Sequence, residues 1–229
     1  MRRNKKTPPL VNVPTTVATD RLSILLKKAH GKTVLDVGCT GTKKRFAHPH
    51  YQPLHSSLVK EARDILGVDI DEEGIAAMKA AGFNVQRADA ETMNLGRRFQ
   101  LIVAGDMIEH LANPGLFLSN MHLHLEDEGE LVITTPNPFS FKQGWRILKH
   151  NRIRVHPEHT FWFCPTVLKR LLEVCGFEMT YLYWIRDPRW SLPTQWPAYL
   201  RPYWSPEFLV VAQKGSLPHR RSSLKEKAE

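Results

Sequence analysis

The sequence predicts an α/β protein built on a doubly wound, parallel sheet. Three observations point there. Short apolar runs of strand length recur along the chain. Several of them end in an acid where a loop begins. Stretches of helical period, such as Glu73 to Ala81 and Leu116 to Leu125, separate them. Strands alternating with helices favour parallel pairing, with helices covering both faces of the sheet.

The first run, Val34-Leu35-Asp36-Val37, breaks into the loop Gly38-Cys39-Thr40-Gly41-Thr42. A residue without Cβ lets a ligand lie against the backbone, and such a loop at the carboxyl edge of a parallel sheet is a nucleotide-binding position. The second run, Ile65 to Ile70, carries Asp69 at its tip, placed to accept hydrogen bonds from ribose hydroxyls. Phe83 to Ala88 is the third and leads into Asp89. Leu101 to Gly105 is the fourth and leads into Asp106. Leu131 to Asn137 is the fifth, Met179 to Ile185 the sixth, and Phe208 to Ala212 the seventh. A dinucleotide site would need Gly-x-Gly-x-x-Gly opening a helix. The third glycine is missing here, and Asp36 just before the loop suits a cationic amino group better than a pyrophosphate.

The motifs VLDVGCTGT, GVDID, ADAETMNL, IVAGDMIEHLANPG, GELVITTPNPFS and EHTFWF, in this order, resemble those of class I S-adenosylmethionine-dependent methyltransferases. The nearest likeness is to the broad bacterial group with an Asp/Glu-x-x-Glu-His-Leu segment and a Thr-Pro-Asn strand end. The resemblance spans about Thr15 to Lys214. It implies a seven-stranded Rossmann-like sheet, mostly parallel with an antiparallel last strand, and S-adenosyl-L-methionine as cofactor. By matching position, the first loop (Asp36, Gly38, Cys39, Gly41) takes the methionine part and Asp69 with Ile70 the ribose. Asp89 and Ala90 take the adenine, and Gly105 with Asp106 closes the set. Two departures stand out. Thr40 replaces a glycine usual in the family, with Gly41 one residue early, and Gln100 replaces an acid before the fourth strand.

A hydroxyl acceptor must lose its proton, usually to His, Asp or Glu, whereas a carboxylate acceptor need not. The candidates for that work are Glu109, His110 and His159, with His156 in the same segment as His159, a segment able to fold over the site. Each also has an ordinary reading as a loop hydrogen-bonding group. No metal is expected. A sharper alternative resembles the small-RNA 3′-terminal ribose methyltransferases, in which residues matching Asp106, Glu109, His110 and His159 would hold a divalent ion. A third reading is a non-catalytic protein that keeps the fold.

At 229 residues the chain is long enough for a sizeable core. Three cysteines without paired spacing exclude a disulfide framework and a zinc cluster. No apolar run approaches a membrane span. The basic start is followed by prolines rather than an apolar signal core, so a cytoplasmic protein is expected. Residues 1–14 and 215–229 read as disordered basic tails around a domain at 15–214. Within it, 187–206 is an aromatic and proline-rich insert read as a lid. The net charge of +9 gathers partly at these ends and partly in Lys142, Arg146, Lys149, Arg152 and Arg154. That cluster is either a solvated helix face or a hold for an anionic small-molecule acceptor, with nucleic acid as the less favoured partner.

Overall fold

The computed structural model describes residues 13–41, 54–186 and 202–215. They form β1 (Thr15–Ala18), α1 (Arg21–Ala29), β2 (Thr33–Val37), α2 (Leu54–Leu58), β3 (Asp64–Asp69), α3 (Glu72–Ala80), β4 (Val85–Arg87) and β5 (Phe99–Gly105). A 3-10 turn at Ile108–His110 follows, then α4 (Pro114–His124), β6 (Leu125–Pro136), α5 (Phe141–His150), α6 (Pro165–Val174) and β7 (Phe177–Ile185). A second 3-10 turn (Pro202–Trp204) leads into β8 (Glu207–Lys214). All strands join one sheet in the order β1-β7-β8-β6-β5-β2-β3-β4.

β2 pairs in parallel with β3 on one side and β5 on the other. The chain therefore leaves β2 toward one edge and returns to the other, and the crevice at the carboxyl ends of β2 and β5 is the topological switch point where such sheets bind ligands. β8 runs antiparallel between β6 and β7, as the resemblance implied. Side-chain alternation sorts the strands' residues onto two faces. Leu101 and Val103 pack with Leu25, Ala29 and Leu58 of α1 and α2. Ile102 and Ala104 pack with Phe117 and Met121 of α4 and Leu168 of α6. Both faces are covered, which is why the central strands read as nearly unbroken apolar runs.

The sheet has eight strands, not the seven expected. The addition is β1, four residues with three exposed, held by parallel pairing of Thr15–Ala18 with Leu182–Ile185. Without an apolar alternation it left no mark in the sequence. β6 also begins earlier than expected, at Leu125, because Phe99 of β5 pairs with Leu125 across a register shift. Residues 1–12 and 216–229 of the anticipated tails, and 187–201 of the anticipated insert, lie outside the described residues.

Candidate functional site

The tips of β2, β3, β4 and β5 surround a cleft of about 570 Å³, a volume ordinary for a small-molecule site. All of Asp36, Gly38, Cys39, Gly41, Asp69 and Ile70 line it, as do Asp89, Ala90, Gly105 and Asp106. His110 and Glu158 reach it from the outer rim. Glu109 and His159 do not line it.

The loop after β2 is shaped for close approach. Gly38 adopts φ +79°, and a Cβ there would lie 3.0 Å from Met107 Cγ, so only glycine fits without displacing Met107. Thr40, at the position where the family usually has glycine, is tied to Asp69. Its backbone N–H and its hydroxyl both donate to Asp69 Oδ2, at 3.1 and 2.6 Å. Asp69 Oδ1 accepts from the Asp71 N–H at 3.0 Å. A carboxylate offers about four lone-pair sites, so Asp69 is fixed in orientation with capacity left for another donor. Burial first, then the charges of Asp36 and Asp69, push the Cys39 thiol up, which leaves Cys39 a packing residue rather than a nucleophile.

Three residues that sequence reasoning missed complete this floor. His55, fully buried on α2, places Nδ1 2.9 Å from Asp36 Oδ2, while its Nε2 has no partner among the described residues. Arg21, at the start of α1, holds Asp106 Oδ2 at 2.6 Å and Glu207 Oε2 at 3.0 Å. Thr134 of β6 donates its hydroxyl to Asp106 Oδ1 at 3.0 Å. These contacts hold Asp106 at φ +50°, a left-handed conformation that Asp tolerates better than most side chains. Nothing local signals these partners: Arg21 and Asp106 are 85 residues apart.

The 3-10 turn sends neighbouring residues opposite ways. Glu109 points inward, 1% exposed, and its Oε2 accepts from the Thr135 hydroxyl at 2.9 Å. Its Oε1 is buried without a partner among the described residues. Burial, and secondarily the Asp106 charge, pushes the Glu109 carboxyl up to about 7. His110 turns outward to the cleft. The segment carrying His156 and His159 is latched over this turn: the Thr160 N–H and hydroxyl donate to the Glu109 carbonyl at 2.9 and 3.0 Å. The same hydroxyl lies 2.6 Å from the Leu111 carbonyl.

This latch gathers three imidazoles, His110 meeting both His156 and His159 edge-on. The ring centres of His110 and His159 are 4.6 Å apart, and His156 lies 5.7 Å from His110 and 5.3 Å from His159. One ligand atom from each falls within 4.8 Å of the others, close enough for the trio to hold a metal ion. The set implied by the RNA-methyltransferase likeness is not brought together, because Asp106 is committed to Arg21 and Glu109 to Thr135. Burial first, then the neighbouring imidazoles, lowers the pKa of both His110 and His159 below the usual histidine value. Both are therefore neutral, with a free ring lone pair each, at neutral pH.

A cleft at the switch point, rimmed by strand-tip acids, defines a class of ligand-binding α/β proteins, and the comparisons narrow it. The chain belongs to the methyltransferase-domain family, whose profile matches residues 12–182. It is 26% identical over 162 residues to a "Probable S-adenosylmethionine-dependent methyltransferase" of Mycolicibacterium smegmatis, covering 68% of this chain and 55% of that one. It is 27% identical over 174 residues to a ubiquinone biosynthesis O-methyltransferase of Azorhizobium caulinodans, covering 69% and 63%. The chain thus spans less than two thirds of the length of these relatives. Among solved structures, a SAM-dependent methyltransferase from Archaeoglobus fulgidus superimposes with a TM-score of 0.61 at 21% identity, over 85% of this chain and 91% of that one.

Proposed function

We propose that this chain transfers a methyl group from S-adenosylmethionine to an oxygen of a small molecule or of a glycan or lipid precursor. The observation that carries this reading is the single cleft at the switch point. It gathers the first-loop glycines, the three strand-tip acids Asp69, Asp89 and Asp106, and His110. The residues fit the cofactor: Gly38 leaves the backbone bare, Asp69 is oriented with accepting capacity to spare, and the volume suits a nucleoside-sized ligand. When bound, S-adenosylmethionine supplies a methyl group already activated on a sulfonium.

The chain's residues then have two tasks. The floor holds and orients its ligand, and orientation of this kind is worth on the order of 7–11 kcal/mol. The rim receives the acceptor, and a neutral imidazole of His110 or His159 takes the acceptor hydroxyl's proton onto a ring nitrogen. Glu109 acts through others: its carbonyl anchors the Thr160 latch and so positions His159. No step in this reading needs a metal. Oxygen as the acceptor atom draws support from the O-methyltransferase relatives.

Calorimetry with S-adenosylmethionine, followed by mass analysis of cell extracts incubated with enzyme and cofactor, tests the proposal. Tight cofactor binding and an extract component gaining one methyl group are expected. A folded chain that binds no cofactor would instead favour the non-catalytic reading.

A further inference from the structure

α5 is amphipathic in the wrong sense for a helix packed on a core. Its only buried side chain is Gln143, whose Nε2 donates to the Arg154 carbonyl at 2.9 Å and ties residues 152–155 back against the helix. Phe141, Trp145 and Leu148, spaced i, i+4 and i+7, share the stripe roughly opposite Gln143. Trp145 is 51% and Leu148 84% exposed, and Phe139 and Ile153 beside them are 67% and 59% exposed. A helix in a soluble protein normally turns such a stripe inward. Here Phe141 is half-buried against Trp204 while Trp145 and Leu148 face out, bordered by Lys142, Arg146 and Lys149 on the helix and by Arg152 and Arg154 after it. From Asn137 to Pro157 the chain has these five cations and no acid. Among the described residues no ion pair holds Lys149, Arg152 or Arg154.

We propose that the outer face of α5, with Phe139 and Ile153, docks on the surface of a lipid bilayer bearing anionic headgroups. Large apolar side chains flanked by Lys and Arg, on a helix with a high apolar-polar asymmetry, are what an interfacial helix presents to a membrane. The apolar stripe enters the headgroup boundary and the cations meet lipid phosphates. The charge argues against a second copy of the chain as the occupant: a two-fold contact places each patch against itself, and five cations would face five. It argues less against nucleic acid, but an RNA backbone has no use for Leu148 and Ile153. No helix among the described residues is long and apolar enough to cross a membrane, so the attachment is peripheral. α5 follows directly from the tip of β6, at the sheet edge that carries the cleft. The inference stands whether or not the methyl-transfer reading holds.

The test is co-sedimentation of the full chain with vesicles of phosphatidylcholine alone or mixed with phosphatidylglycerol. We expect binding to the mixed vesicles only, weakened by salt. Leu148→Ser with Trp145→Ser should abolish it. Lys149→Glu should weaken it by at least roughly five-fold, the value of one cation near an anionic surface. Circular dichroism and cofactor binding unchanged in both variants show that the fold persists. Failure to sediment with the mixed vesicles, or equal binding by the folded Leu148→Ser, Trp145→Ser variant, overturns the proposal. So does light scattering that finds a dimer dissolved by Leu148→Ser in a chain that ignores vesicles. Salt-sensitive RNA binding without vesicle binding also overturns it and assigns the cations to nucleic acid.

Discussion

Raising the pH should destabilise this fold through one buried carboxyl. Glu109 is 1% exposed, accepts a hydrogen bond from the Thr135 hydroxyl, and has its carboxyl pushed from the ordinary 4.5 up to about 7. The folded state then binds more protons than the unfolded state between those two values. A raised acid contributes its stability fully below the unfolded pKa, and loses it as pH climbs through the folded one. One pKa unit is 1.36 kcal/mol, so the shift implies a loss of about 2.5 kcal/mol between pH 5 and pH 8 from this residue. Other groups in the protein also change protonation as pH rises. The clean measurement is therefore a difference: urea unfolding of the natural chain and of Glu109→Gln at several pH values. Gln keeps the shape and cannot ionise. The difference in unfolding free energy should drift by about 2–3 kcal/mol toward the variant as pH rises. A flat difference would show that Glu109 ionises in the folded state as it does in water, and the burial argument would fall.

Four further outcomes follow from the site. Asp69→Ala should weaken cofactor binding by about 1–3 kcal/mol in calorimetry, and an unchanged Kd in a folded variant would displace the ribose from this strand tip. Gly38→Ala should cost stability and cofactor affinity together, since both φ +79° and Met107 oppose a Cβ; a variant of normal Tm and Kd would contradict that. If His110 or His159 is the base, its replacement by Asn should lower kcat by about 10²–10⁴. Activity should survive exhaustive chelation; loss restored by Mn or Co would place an ion among His110, His156 and His159.

Much of the fold was legible because the central strands are buried on both faces. β2, β3, β5 and β6 announce themselves as apolar runs, and the acids at the tips of β3, β4 and β5 mark the ligand edge without any knowledge of the sheet order. The cleft floor was legible for the same reason, since each residue is tied to a strand end. What remained hidden depends on distant approach. His55 meets Asp36 only because α2 packs under β2, and Arg21 finds Asp106 only after β5 is placed beside the others. Glu109 and His110 are adjacent in the chain and look like one catalytic pair. The 3-10 turn separates them, sending one carboxyl into the core and one imidazole into the cleft. No spacing rule distinguishes a turn that does this from one that does not.

The short first strand has a consequence for handling the protein. β7 is nine residues long and rich in aromatic and β-branched side chains. Without β1 the half of it from Leu182 to Ile185 would be an open ladder of unpaired N–H and C=O groups, the usual template for edge-to-edge aggregation. β1 covers that half and presents in its place an edge of two threonines, a valine and an alanine. Removal of residues 1–18 would spare every described residue that lines the cleft, yet we expect the shortened chain to lose solubility before it loses its ligand. Light scattering of such a truncation as concentration rises, set beside its cofactor affinity, would separate edge protection from ligand binding.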